Sequence, residues 1–351
     1  MVFKYLEKKN KSHEKVIFCF HPETKLKAIV AIHSTTLGPA LGGCRMLPYE
    51  TEEKALEDVL NLSEAMSYKA AMAGLQLGGG KSIIIGDPNV DKTPEMLWTF
   101  GIYLNSLSGQ YITAKDMGIT IEDLQYIGDQ TSYVVGRPID RGGAGDPSQF
   151  TATGVYYGIK KAVQLKLKRN SLKDLKVIVQ GIGAVGSFLV KLLYQDDVEV
   201  LVYDINESAM IAMKEKFPKV KILSREEVFK RDCDIFAPCS IGAIVNDKTV
   251  ETLKCSIIAG GANNQLSDLS IAEKLQSKNI LYIPDFVINS GGLIYVSSYL
   301  DPKKSEEWIR SKIKAVSSTI EELCKISFED NVSLVQMAFD LAQKKIKRGK
   351  I

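Results

Sequence analysis

Histidine is scarce in this chain. Only His13, His21 and His33 occur among 351 residues, all in the first tenth. A hydrolytic Ser–His triad or a metal centre built on several imidazoles has little to draw on, and an oxidoreductase with a histidine base in its later half is excluded. Acid–base chemistry must fall to Lys, Asp, Glu, Tyr or Cys. Paired cysteine motifs are lacking too. Cys19, Cys44, Cys233, Cys239, Cys255 and Cys324 form no C-x-x-C pair, and none has a histidine at finger spacing. Neither a metal site nor a disulfide framework is expected, and reduced thiols place the protein in the cytoplasm. No apolar run approaches the roughly 18 residues of a membrane span. Residues 1–11 carry no apolar signal core. Nor is one charge in surplus: 45 Lys and Arg against 42 Asp and Glu leave +3. Nucleic acid and membrane surfaces are therefore not expected partners. The basic stretch 344–350 reads as a solvated helix end.

What is present is a globular composition, 45% hydrophobic and 25% charged, in a chain long enough for two domains. Residues 16–20 and 26–33 read as strands around a turn at 21–24. Residues 37–43 and 77–81 read as glycine loops, the second leading into the apolar run 82–85. A helix opens at Thr51 and keeps helical spacing to Tyr68; another spans 94–107. Residues 111–116 read as a strand and its end. Composition shifts at 141–150, as at an inter-domain hinge. After a helix at 151–165, strands near 175–180, 198–203, 234–237, 257–259 and 280–283 alternate with helices, which predicts an α/β domain with a parallel sheet. Residues beyond 305 read as helical.

The apolar strand Val177-Ile178-Val179-Gln180 runs into Gly181-Ile182-Gly183-Ala184-Val185-Gly186, a G-x-G-x-x-G sequence, and the next strand ends in Asp204. Such a strand–glycine turn–helix unit, with an acid about 20 residues on, is the Rossmann dinucleotide fingerprint. Gly181 permits the turn, Gly183 lets backbone N–H groups approach a pyrophosphate, and Gly186 lets helix pack on strand. Asp204 accepts both ribose hydroxyls and would repel a 2′-phosphate. Ile205-Asn206 supplies no cation, so NAD is expected rather than NADP.

In the first half, Lys69 and Lys81 stand in small, apolar surroundings. Two ammonium groups held together in a poorly solvated site repel, so one could serve as a base while the other binds an anion. Asp116 is a candidate partner carboxylate.

Several strings together resemble the amino-acid dehydrogenases of the Glu/Leu/Phe/Val family. They are Leu37-Gly38-Pro39-Ala40-Leu41-Gly42-Gly43-Cys44-Arg45, Tyr68-Lys69, Gly78-Gly79-Gly80-Lys81 and Thr113-Ala114-Lys115-Asp116-Met117-Gly118 in the first half. Gly145-Asp146-Pro147-Ser148, Thr151-Ala152, Ala237-Pro238-Cys239, Gly260-Gly261-Ala262-Asn263-Asn264-Gln265-Leu266 and Pro284-Asp285-Phe286-Val287-Ile288-Asn289-Ser290-Gly291-Gly292 follow in family order. The leucine dehydrogenase branch is the most similar. The resemblance implies two domains with a cleft between them. Residues 1–145 would form an α/β substrate and oligomerisation domain, to which a C-terminal helix at 331–351 returns. Residues 146–330 would form the NAD-binding Rossmann domain. It also implies NAD-dependent oxidative deamination of L-amino acids to 2-oxo acids and ammonia, by a cytoplasmic homo-oligomer without a metal. Lys69 would hold the substrate carboxylate, Lys81 would activate water, and Asp116 would shuttle protons at the amino nitrogen. Gly42 and Gly43 would contact the substrate through their backbones. Asn263 would position substrate and nicotinamide ribose, Thr151 would touch the nicotinamide amide, and Cys239 would line the cofactor site.

Leu41, Ala114, Leu293 and Val296 would surround the substrate side chain. None carries a charge, and an unpaired γ-carboxylate there costs several kcal/mol, which disfavours glutamate. Branched-chain substrates are expected. Three departures from the leucine branch, Tyr295, Ser297-Ser298 and Lys115, keep an aromatic substrate (phenylalanine or tryptophan) open, and a non-catalytic NAD-binding sensor is the reading of a different class.

Overall fold

Two strands of β-branched and aromatic residues begin the first sheet. In the computed structural model, which describes residues 2–9, 11–330 and 332–349, β1 (Lys15–His21) and β2 (Leu26–Ser34) pair antiparallel, after a short helix α1 (Val2–Lys8). The next two elements correct the sequence reading. Residues 37–43 and 77–81, expected to be loops, lie largely in strands: β3 (Ala40–Leu47) and β4 (Gly78–Ile85). Glycine usually marks a turn, but in a strand it also marks close approach of other backbone. β4 is the middle strand of the sheet β1-β2-β4-β3-β5, and its glycines are pressed from both sides. A Cβ on Gly78 would sit 1.9 Å from the Ser34 carbonyl oxygen, and one on Gly79 2.0 Å from the Ser67 nitrogen.

Between these strands runs α2 (Glu52–Met72), capped by Thr51, whose side chain accepts from the Lys54 amide. Its Ala55, Leu56, Val59 and Leu60 pack on Ile29, Ala31 and Ile83. The helix continues past Tyr68, which puts Lys69 in its last turn. The opposite face of the sheet is covered by α3 (Pro94–Ser106), with Thr93 as cap and Pro94 in the first turn. Met96, Leu97, Phe100 and Leu104 meet Ala40, Cys44, Met46 and Ile84 there. β5 (Tyr111–Lys115) and α4 (Asp123–Gly128) follow.

Against α2, His33 is buried and His13 half-buried. His13 and His33 pack edge to face with ring centroids 4.9 Å apart. His33 Nδ1 lies 2.8 Å from Ser67 Oγ. His13 Nε2 lies 2.8 Å from Ser63 Oγ and 3.1 Å from the Leu60 carbonyl oxygen. Burial lowers the pKa of both; for His13, helped by His33, it falls to about 4, against the pull of Glu64. An unfolded histidine titrates near 6.5, so this contribution to stability is complete above that pH and is lost as pH falls toward 4. We expect the melting temperature to drop by roughly 2–4 °C between pH 7 and pH 4.5. His13→Gln should flatten that limb; an equally steep limb in the variant would assign the acid sensitivity elsewhere.

The second sheet is parallel throughout. Helix α5 (Ser148–Leu167) leads into β6 (Lys176–Gln180), α6 (Ala184–Gln195), β7 (Glu199–Tyr203), α7 (Glu207–Lys216) and β8 (Lys221–Ile222). Then come β9 (Ile235–Pro238), α8 (Asp247–Thr252), β10 (Ile257–Ile258), α9 (Ser270–Ser277) and β11 (Leu281–Tyr282). The strand order is β11-β10-β9-β6-β7-β8. The chain starts in the middle at β6, works out to β8, then returns to β9 and works out the other way. This is the doubly wound Rossmann order, whose switch point lies between β6 and β9. Ile178, Leu201, Phe236 and Ile258 fill the core on one side of it. The helices α10 (Asp285–Ile288), α11 (Gly291–Ser298), α12 (Glu306–Lys314), α13 (Val316–Asp330) and α14 (Leu334–Arg348) complete the chain. Among the described residues, no helix is long and apolar enough to cross a membrane.

The chain divides into two compact units. The first comprises Met1–Asp146, Val296–Pro302 and Ala342–Ile351; the second comprises Pro147–Tyr295 and Lys303–Leu341. Of the segment 331–351 expected to return to the first domain, residues 331, 350 and 351 lie outside the described residues.

Candidate active site

Alternation along three neighbouring strands assembles the charged centre of the first unit. Ala40, Cys44, Met46, Ile84 and Tyr111 enter the core under α3. Residues one position out of step, namely Leu41, Gly43 and Arg45 on β3, Gly79 and Lys81 on β4, and Ile112 and Ala114 on β5, belong to the other face. Leu41 stands beside Gly79 and Ile112, and Gly43 beside Ala114. Lys81 and Asp116 therefore come from the strands flanking β3 and meet across Gly43. A Cβ at Gly43 would lie 2.9 Å from Asp116 Cβ and 2.6 Å from the Lys115 carbonyl oxygen. Glycine is what opens that space.

Lys81, only 5% exposed, donates from Nζ to Asp116 Oδ2. The other carboxylate oxygen accepts from Arg45 Nε at 3.2 Å and from the Met117 amide at 2.6 Å. Burial alone would raise the Asp116 pKa. The Lys81 ammonium and the Arg45 guanidinium overcome this, and the carboxyl is held down at about 2. Arg45 is fixed in turn by Asp58 on α2, at 3.0 and 3.3 Å, and Asp58 accepts from the Tyr49 hydroxyl at 2.6 Å. From the other face the buried Tyr111 hydroxyl donates to the Gly42 carbonyl at 2.7 Å and lies 3.0 Å from Ser82 Oγ.

Lys69 is half-buried in the last turn of α2. The backbone of Ser67 occupies the place of a Gly79 side chain, so this turn rests on β4 two residues before Lys81. The partner that Lys81 takes is Asp116. Arg45 was missed as a member of the cluster. The signal for it is the period-two spacing from Leu41 and Gly43, visible only once 40–47 is read as a strand.

In the second unit the fingerprint forms the turn from β6 to α6. Gly181 has φ +92°, and a Cβ there would strike Ser240 at 2.6 Å; Gly186 is pressed on the Gly181 carbonyl, 2.0 Å from where its Cβ would be. Around Gly183, by contrast, a Cβ would meet nothing within 4 Å. Gly183 caps α6 with no side-chain hydrogen bond, so the amides of the first turn, at Ala184 and Val185, keep donors for an anion. Asp204, at the end of β7, accepts from the Ile182 amide at 2.7 Å and the Asn206 amide at 2.9 Å. That fixes the carboxylate beside the turn with lone pairs to spare. Glycine cradle, bare helix start and anchored acid fit a dinucleotide.

Cys239 follows β9, and its sulfur accepts from the Gly261 amide at 3.4 Å. Burial pushes its thiol up to about 12, so it is a neutral, apolar group rather than a nucleophile. Thr151 lies in the first turn of α5, and a Cβ on Gly292 would come 2.4 Å from its Oγ1. Asn263 is exposed in the loop after β10. Leu293 and Val296 are both buried, one turn apart on α11. On the same helix Tyr295 stacks on Phe150, centroids 3.7 Å apart and planes 13° from parallel.

A Rossmann unit with a glycine cradle at a bare helix start, and a separate unit carrying a buried Lys–Asp–Arg cluster, fit the class of dinucleotide-dependent oxidoreductases. Residues 13–133 match the family model described as Glu/Leu/Phe/Val dehydrogenase, dimerisation domain, and residues 142–350 that of Glutamate/Leucine/Phenylalanine/Valine dehydrogenase. The chain belongs to the Glu/Leu/Phe/Val dehydrogenase family. It is an amino-acid dehydrogenase, an oxidoreductase acting on CH–NH2 groups, with NAD as cofactor. A leucine dehydrogenase of Bacillus subtilis is 43% identical over 347 residues, covering 99% of this chain and 94% of the relative. A phenylalanine dehydrogenase of Caldalkalibacillus thermarum is 42% identical over 341 residues, covering 96% and 92%. The crystal structure of L-tryptophan dehydrogenase from Nostoc punctiforme superposes with a TM-score of 0.86 at 39% identity, covering 100% of both chains.

Proposed function

We propose that the chain catalyses the reversible oxidative deamination of branched-chain L-amino acids, namely leucine, valine and isoleucine. L-Amino acid, NAD⁺ and water give 2-oxo acid, ammonia, NADH and a proton. The observation that carries this reading is the buried Lys81–Asp116 pair on the sheet face that also bears Leu41 and Ala114. Bound NAD supplies the hydride acceptor for the substrate Cα. Gly181, Gly183, Ala184, Val185 and Gly186 hold its pyrophosphate, Asp204 its ribose, and Thr151, Cys239 and Asn263 its nicotinamide end. Lys69 binds the substrate carboxylate, and the backbones of Gly42 and Gly43 steady the substrate. Lys81, in its neutral amine form, takes a proton from the water that attacks the imine carbon. Asp116, in direct contact with it, gives and receives the proton at the amino nitrogen.

Leu41, Ala114, Leu293 and Val296, the residues expected around the substrate side chain, are each uncharged, which supports a hydrocarbon substrate over glutamate. Leucine against valine is a matter of about 1–3 kcal/mol per methylene. A second reading, aromatic amino acids, is favoured by Tyr295 with its stack on Phe150. The deciding experiment is NADH formation at alkaline pH with leucine, isoleucine, valine, phenylalanine, tryptophan and glutamate, NADP⁺ alongside NAD⁺. Branched-chain substrates with NAD⁺ should give the highest kcat/KM. Preference for aromatics would overturn the substrate assignment, activity with NADP⁺ would overturn the role of Asp204, and NAD binding without any reduction would favour a sensor.

Gly43→Ala tests the shape of the site. The added methyl would displace Asp116 from Lys81, and a misplacement of about 1 Å costs on the order of 100-fold in turnover. We expect that loss in kcat, measured by steady-state kinetics; kcat within threefold of the parent would show that the gap is not needed.

The protein is read as a homo-oligomer working in the cytoplasm, where its six free cysteines stay reduced. The edge strand β1 supports self-association, with Phe18 and Phe20 54% and 61% exposed. A monomer mass by light scattering would overturn it.

A further inference from the structure

The loop after β10 is gripped by two buried amides. Gln265, fully buried, donates from Nε2 to the Gly260 carbonyl at 2.8 Å and the Ala262 carbonyl at 3.0 Å. Asn289, just after α10 and 2% exposed, donates from Nδ2 to the Gly261 and Ala262 carbonyls, both at 3.3 Å, and to Asn263 Oδ1 at 2.8 Å.

We propose that Asn289 is a positioning residue that sets the orientation of the Asn263 amide, so that Asn263 presents N–H donors, and not its carbonyl oxygen, to the nicotinamide-ribose end of the cofactor. This rests on the reading of Asn263 given above.

Two main-chain carbonyls face the Asn289 amide, and carbonyls only accept, so the end of Asn289 that meets them must be the NH2 group. With the amide turned over, its oxygen would face two carbonyl oxygens. The same NH2 group lies 2.8 Å from the Asn263 amide and, being a donor only, can face an acceptor but not a second NH2 there, which fixes Asn263 Oδ1 inward and leaves Nδ2 for a ligand. Asn263 itself is exposed. The cost of this arrangement is visible: Asn289 Oδ1 is buried with no partner among the described residues. A buried, unsatisfied acceptor is costly and calls for a compensating gain, here the acceptors held by the other end of the group. The ligand chemistry follows. Two N–H donors suit acceptor oxygens, such as ribose hydroxyls or a carboxylate, and would not satisfy a donor-only group.

Asn289→Asp tests this, because it keeps the shape and removes every donor. Affinity for NADH, measured by calorimetry on the full chain, should weaken about tenfold. Affinity for ADP, which lacks the nicotinamide ribose, should stay within twofold. In an Asn263→Ala background the same substitution should change NADH affinity less than twofold. Unchanged NADH affinity, equal losses for NADH and ADP, or an undiminished loss in the Asn263→Ala background would each overturn the proposal. Should Asn289→Asp not fold, Asn289→Ala removes the donors without adding a charge and is read in the same way. Absence of amino-acid turnover in the parent protein would overturn the proposed reaction, while NADH affinity would still decide the role of Asn289.

Discussion

Lys81→Ala should lower kcat by at least ~10³-fold while NADH binds with unchanged affinity. The size follows from the role: a positioned proton acceptor contributes roughly 10²–10⁴-fold, and here no neighbour replaces it. Arg45, the other cation on Asp116, does not give up its proton in a protein and cannot act as a base. The variant should also fold. Asp116 keeps its bonds to Arg45 and to the Met117 amide, so its charge is not stranded. The fingerprint proposed to bind NADH belongs to the second unit, whereas Lys81 belongs to the first. Kinetics with the best amino acid, together with an NADH titration, separates the outcomes. Turnover within tenfold of the parent would remove Lys81 from the proton path. Loss of both turnover and NADH binding would indicate a folding defect instead.

Asp116→Asn should act on stability as well as on rate. It leaves two cations facing a neutral amide in a buried place, and breaking a buried pair in this way typically costs 3–5 kcal/mol. Arg45 retains Asp58, which puts the expected loss at the lower end, about 3 kcal/mol. Turnover should fall by ~10²-fold or more, since the proton can no longer be handed on. The pH dependence gives an independent check. The carboxyl titrates near 3.8 when unfolded and about 2 in the native chain. Its stabilisation is therefore complete above about pH 4 and is lost as pH falls through 2. Denaturation midpoints at pH 7 and pH 3 should lie closer together in the variant than in the parent. An Asn variant as stable as the parent at pH 7 would mean that Lys81 and Arg45 need no shared anion.

The Rossmann half was the more legible part of the chain. Its fingerprint is local: strand, glycines and acid lie within 28 residues, 177–204, and each has a backbone reason that requires no distant partner. The cap at Thr51, with its apolar stripe, gave the start of α2 for the same reason. The first unit was harder. Residues 37–43 and 77–81 read as loops because glycine is scored as a turn former, whereas Gly79 and Gly42 are glycine because Ser67 and the Gly80 carbonyl lie where their side chains would be. That information is tertiary and no local window contains it. Reading those segments as loops hid the alternation on β3, and with it Arg45. The two-residue strand β8 has too little apolar pattern to be seen, its Ile222 being 41% exposed. Tyr295 illustrates the same limit: its identity was evident, but that its ring lies on Phe150 was not.

The first unit is not contiguous along the chain. Its α14 end returns to it: Gln343 Nε2 reaches the Tyr68 hydroxyl at 3.4 Å, and a Cβ on Gly349 would press on Leu37 and Thr36 at 2.7 and 3.2 Å. On the ribosome, residues 2–146 emerge long before 342–349, and the second unit, being mostly uninterrupted, can form in between. The first unit must then wait, with the ends of α2 and β2 uncovered, until the last residues are released. Chains cut short before residue 342 should be prone to chaperone capture and aggregation out of proportion to the few residues they lack.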